Sequence, residues 1–259
     1  MKRLAAILIA CGVAMPLAAQ DASGPIIPNL IASNIEDTRV SVTVDPGLRS
    51  SKRLRTVALR NARAALHDGR DVSAHDLRLL AEAGDGLAAQ RYVRVLDSAS
   101  AKPSQSDLAY FSAVAVGTGR IWTLRTMVDA LHQLDPETEP RARVRKYMQV
   151  LYPHAWAGNT LALEAVVAFN GEGRLFGALS ERTRERILAE ARKQGNGRIE
   201  FGIAMGLLER TRAAETPDPA DLALARNMLE LASASDHLAV RTSAQNLLRL
   251  MDNPKTDDS

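Results

Sequence analysis

The residues of this 259-residue chain whose types and spacing could carry chemistry are few: five histidines, one cysteine, four Gly-x-Gly triplets and one carboxylate inside an apolar run. His67, Asp71 and His75 are spaced to share one face of a continuous helix, where they could chelate a metal. Gly69 argues against that continuity, and Ser73 with Asp76 has the spacing of a capping box that opens a new helix. The triplets Gly84-Asp85-Gly86, Gly117-Thr118-Gly119, Gly171-Glu172-Gly173 and Gly195-Asn196-Gly197 follow helical patterning. A phosphate-cradling loop needs a buried strand there instead, so the triplets read as turns. Glu164 is the one charged residue in Leu161–Phe169. A carboxylate in apolar surroundings can serve as a general acid, or it can pair with an arginine of a neighbouring element. His-Glu-x-x-His and Gly-x-Ser-x-Gly are both absent, as is any Glu-Ser pair. The sequence therefore predicts no catalytic residue, no metal and no other cofactor.

Two groups have the composition of a binding surface. Arg49, Lys52, Arg53, Arg55, Arg60 and Arg63 lie between Pro46 and His67 without an acidic residue among them. They can form a solvated face, dock an acidic partner or lie on anionic lipid. Tyr147, Tyr152, His154 and Trp156 form the densest aromatic cluster in a chain only 4% aromatic. They either line a recognition groove or pack a junction between elements. The candidate partner-binding residues are Tyr147, Tyr152, Trp156, Arg49, Arg53 and Arg60.

The elements that must position these residues are helical. Leu, Ala, Val, Ile and Met supply most of the 46% apolar content, which suits close-packed helices better than a sandwich of sheets. Helix-period patterning runs from Leu48 to about Met251, with breaks at Asp68-Gly69, Pro103, Pro136 to Pro140, Asn170 to Gly173 and Thr216 to Pro219. Before it, residues 20–47 form an irregular leader in which Val40-Ser41-Val42-Thr43-Val44 could make one short strand. Residues 1–19 have the layout of a secretory signal: Lys2 and Arg3, the apolar run Leu4 to Val13, Pro16, then small residues ending at Ala19. A lipobox ending at Cys11 is the competing reading, and it would anchor the chain by acylation. Cleavage near Ala19 would leave a chain without thiols. Of the formal charge of +3, two charges belong to Lys2 and Arg3, so the remainder gives no reason to expect nucleic acid. No transmembrane segment is expected in the mature chain, and the polar tail 252–259 is expected to be disordered.

Within the helical span a small residue recurs with Ala or Ile four positions later: Gly84/Ala88, Gly117/Ile121, Gly158/Ala162, Gly195/Ile199 and Ser235/Ala239, at intervals of 33, 41, 37 and 40 residues. Ala81-Glu82-Ala83-Gly84-Asp85, Ala155-Trp156-Ala157-Gly158-Asn159 and Ala232-Ser233-Ala234-Ser235-Asp236 are variants of one turn. In the first two, glycine ends one helix, and in all three Asp or Asn can cap the next. These turns, with Asp218-Pro219-Ala220-Asp221 before Ala225 and Leu231-Ala232, resemble the Sel-one-like subclass of tetratricopeptide repeats over roughly residues 73–251. Phe169-Asn170-Gly171-Glu172-Gly173 looks like the end of the first helix of one such unit. Ser235 departs from the glycine usual there, and Ile121 and Ile199 depart from alanine. The resemblance implies an all-α solenoid of antiparallel helix pairs. The expected function is that of a periplasmic scaffold binding a protein or peptide partner in the cell envelope, with membrane-surface contact open. The alternative is a glycan-acting cell-wall enzyme, or its accessory subunit, with Glu164 as acid.

Overall fold

The computed structural model describes residues 40–98, 104–214 and 216–253, all within one compact unit. The signal segment, Cys11, most of the leader and residues 254–259 lie outside the described residues. Among those described there are eleven α-helices and no strand. They are α1 (Val57–His67), α2 (Ala74–Glu82), α3 (Gly86–Ser98), α4 (Gln105–Gly117), α5 (Leu124–Leu131), α6 (Arg141–Trp156), α7 (Thr160–Phe169), α8 (Glu181–Gln194), α9 (Arg198–Ala213), α10 (Pro219–Ser233) and α11 (Leu238–Asp252). The fold class is all-α, and among the described residues no helix is long and apolar enough to cross a membrane.

Most helices begin where a small polar side chain can accept a first-turn N–H. Thr56, Ser73, Ser104, Asn159, Ser180 and Asp218 do this for α1, α2, α4, α7, α8 and α10. Each such cap contributes about 1 kcal/mol. Gly69 takes a positive φ after α1, so His67, Asp71 and His75 do not share one helix. Gly84 and Gly158 end α2 and α6 at φ 90° and 91°, as their repeat positions predict. The turn after α4 differs by two residues, because Gly117 is still helical and Gly119 takes the left-handed conformation.

α2 packs on α3, α3 on α4, α4 on α5, α6 on α7, α9 on α10 and α10 on α11, while α4 also meets α6, α7 also meets α9, and α8 touches α7 and α9. Because it is packed on several sides, α4 is buried at every position from Phe111 to Gly117. Its Ala and Ser residues let the neighbouring helices approach closely. In the same way, α7 buries Leu161, Leu163, Val166 and Phe169 against α5, α6 and α9.

Residues 40–48 make no strand. They form an extended strap laid across helix ends. Leu48 N–H donates to Gly84 O at 2.9 Å, and Val44 and Asp45 N–H both donate to Gly117 O at 3.0 and 2.9 Å. Val42 N–H donates to His154 Nε2 at 3.2 Å, and Asn159 Nδ2 donates to Val40 O at 3.0 Å. The strap therefore satisfies backbone groups that a helix terminus leaves orphaned. Gly47 is required at the closest point, because a Cβ there would lie 2.8 Å from Gly84 O.

Candidate functional site

α6 positions the cations of a groove on its solvent-facing side. Val144, Tyr147, Val150 and Leu151 are buried, which turns Ala142, Arg145, Lys146 and Gln149, spaced by three and four residues, toward the opposite face. That face, the C-terminal end of α2, Tyr110 and Val114 of α4, the strap residues Asp45 and Gly47, and Arg53 enclose a groove of 740 Å3. Four cations line it, Arg53, Arg143, Arg145 and Lys146, against two carboxylates, Asp45 and Glu82.

Several of these charges are already partnered. Arg143 reaches Asp107 at 2.7 Å and lies over the Tyr110 ring at 4.9 Å, which fixes the guanidinium along the groove wall. Lys146 binds Asp45 at 2.7 Å. The hydrogen bond from Lys146, followed by that from Gly47 N–H, holds the Asp45 carboxyl below the usual carboxylate range. Glu82 pairs with Arg78 one helical turn away. Arg53 and Arg145 are exposed and form no ion pair among the described residues. The groove thus offers an anionic ligand two unpartnered guanidinium groups beside a positioned Arg–Tyr stack.

Of the residues singled out in the sequence, Arg53 lies in this groove and Arg49 is exposed near it in sequence. Arg60 is half-buried and donates to Leu54 O at 3.0 Å, tying α1 to the turn before it. Arg63 is a hub. It donates to Asp85, Ser51 Oγ and Leu48 O. Asp85 also takes His67 Nε2 at 2.9 Å and caps α3 through Leu87 and Ala88 N–H. Burial pushes the Asp85 carboxyl up, but the bonds from His67, Ala88 N–H and Arg63 outweigh it and leave it below the usual range.

The aromatic cluster is divided. Tyr147 is fully buried and donates to Glu139 at 2.7 Å, and burial followed by the Glu139 carboxylate pushes its hydroxyl pKa upward. Tyr152 and Trp156 are half-buried near the end of α6. Tyr152 donates to Asn170 at 2.9 Å and packs on Trp156 and Phe176, and Arg186 covers the Trp156 ring at 4.5 Å. These side chains seal the loop between α7 and α8, which closes on itself through Gly171 N–H to Gly177 O and Phe176 N–H to Phe169 O. Glu164 meets Arg198 at 2.8 Å, with both side chains largely buried.

Arg143, Arg145 and Lys146 escaped the sequence reading because no local pattern marks them: they alternate with core positions on an ordinary amphipathic helix. The signal was the absence of acidic residues between Arg141 and Trp156. No known protein family, curated protein or solved structure matches this chain.

Proposed function

We propose that this chain is an exported, periplasmic scaffold whose helix pairs stack as a solenoid of the Sel-one-like tetratricopeptide kind, and that it holds an acidic stretch of a protein partner in the groove between α2, α4 and α6. The observation that carries the reading is the four-cation lining of that groove, in which Arg53 and Arg145 form no ion pair among the described residues. Charge complementarity of this type steers association and selects partners more than it adds raw affinity. The packing of α2 on α3, α4 on α5, α6 on α7 and α10 on α11, with the glycine-ended turns at Gly84 and Gly158, supports the repeat assignment. Repeat stacks of this type present long surfaces suited to recognition. The scaffold reading is preferred to a glycan-acting enzyme because the Glu164 carboxylate is largely buried and closed against Arg198 at 2.8 Å.

The test is a fluorescence-anisotropy titration of an Asp/Glu-rich peptide against the purified protein, with a neutral peptide of equal length as control. Saturable binding is expected that weakens with salt, since exposed charges are screened beyond about 10 Å at 0.1 M ionic strength. Arg53→Glu and Arg145→Glu should each lower the affinity about five-fold or more. Equal binding of the neutral peptide, or affinity unchanged in both variants, would contradict the proposal. Export is tested by the intact mass of the protein from cells: a chain starting near Gln20 is expected, and one starting at acylated Cys11 would place it on a membrane instead.

A further inference from the structure

We propose that His154 is the pin of an acid-opened latch: protonation of its ring releases residues 40–45 of the strap from the helix ends they cross. His154 has no exposed surface. Its Nδ1 lies 2.8 Å from Val150 O, a contact that requires the proton on Nδ1 and leaves Nε2 as a bare acceptor. Val42 N–H fills that acceptor at 3.2 Å. A proton added at Nε2 turns acceptor into donor, so two N–H groups would face each other and the bond to the strap is lost. The imidazolium would also be buried, and burial of a charge without a counter-ion is strongly disfavoured.

Among the described residues no carboxylate pairs with the ring. The strap carries one charged residue, Asp45, which is held by Lys146. The one charged residue of α4 is Asp107, held by Arg143, and that of α7 is Glu164, held by Arg198. On α6 itself the other charges are the cations Arg141, Arg143, Arg145 and Lys146, and Arg186 of α8 lies over Trp156. Burial holds the ring's pKa below the ordinary histidine value. The sign follows. A ring freed by strap release binds a proton near its ordinary pKa of about 6.5, so the strapped state loses stability as pH falls below that value.

The other contacts of this end of the strap are Asn159 Nδ2 to Val40 O, Ser41 Oγ to Gly119 O, and the two N–H bonds to Gly117 O. Release would separate Asp45 from Lys146 and leave a third cation of the groove without a partner. That consequence rests on the binding proposal above, whereas release of the strap does not.

Hydrogen exchange of the full chain between about pH 7.5 and 5, normalised to a free peptide of the strap sequence, tests the latch. Protection at Val42, Val44 and Asp45 is expected to fall about ten-fold or more below about pH 6 while α4 and α7 stay protected. In His154→Gln, which cannot titrate, strap exchange should not depend on pH. His132→Gln, which removes an exposed histidine packed on Phe169 of α7, should behave as wild type. Unchanged wild-type protection across the range, or the same acid-driven loss in His154→Gln, would overturn the proposal. Should His154→Gln not fold, the wild-type ring followed by NMR gives the same decision. Its titration is expected to coincide with movement of the Val42 amide, and a ring that titrates while that amide stays fixed contradicts it.

Discussion

The two halves of α6 handle their polar and aromatic side chains in opposite ways. Near its start, Arg145 and Lys146 face a groove, and Arg145 has no acid partner among the described residues. Near its end, Tyr152 and Trp156 are covered by Phe176 and Arg186 and fasten a loop. Aromatic density along the sequence left a recognition groove open beside packing at a junction for the second region. In a chain this poor in aromatics, the few rings are placed where they exclude the most water, at the junction of helices and a glycine-rich loop. The cations stay at the groove because a guanidinium is costly to bury and cheap to solvate.

The comparison is broken most severely at the residue between the two regions. Tyr147→Ala removes a fully buried ring and one of the two side-chain donors to Glu139, leaving Ser106 Oγ, and it should cost about 3–5 kcal/mol by denaturant midpoint. A loss under about 1 kcal/mol would mean that the α4–α6 junction is not packed as described. Trp156→Ala should come next, at about 1–3 kcal/mol, with acidic-peptide affinity unchanged. Lost affinity at full stability would move the binding surface to the aromatic end.

Gly158→Val should cost a similar amount, about 1–3 kcal/mol, and for one reason only. Nothing lies within 4 Å of an added Cβ at Gly158, so the cost is the left-handed backbone at φ 91° rather than a collision. A variant as stable as wild type would remove Gly158 from the set of repeat turns.

The sequence makes that turn legible because its cause is local: glycine supplies the conformation, and Asn159 accepts the Ala162 N–H that opens α7. Ser73 with Asp76, and Asp218 before Pro219, are legible for the same reason. The strap is not, because Val44 and Asp45 find their acceptor on Gly117 and Val42 finds its acceptor on His154, 112 residues away. Alternation from Val40 to Val44 signals an extended chain but cannot say that helix ends, and not a sheet, will take its hydrogen bonds. The groove was half-legible: Arg53 stood out within a basic run, while Arg143, Arg145 and Lys146 sit within a helix whose core periodicity explains it without them.

The smallest effects sharpen the comparison from the other side. Arg145→Ala should stay within about 0.5 kcal/mol of wild-type stability while weakening acidic-peptide binding. Arg241→Ala, on α11, should cost about 0.5–1 kcal/mol, because its guanidinium donates to Ser235 O at 3.3 Å and is not purely a solvent group. Thermal denaturation of both variants alongside the binding titration separates a residue used for recognition from one used for packing.

The most direct test of the binding proposal is to map, by amide and side-chain NMR shifts, where an Asp/Glu-rich peptide touches the isotopically labelled protein. The shifts should concentrate on Arg53, Tyr110, Arg143, Arg145, Lys146 and Gln149 and should shrink together as salt is added. Shifts centred on Tyr152, Trp156 and Arg186, or none at saturating peptide, would contradict it.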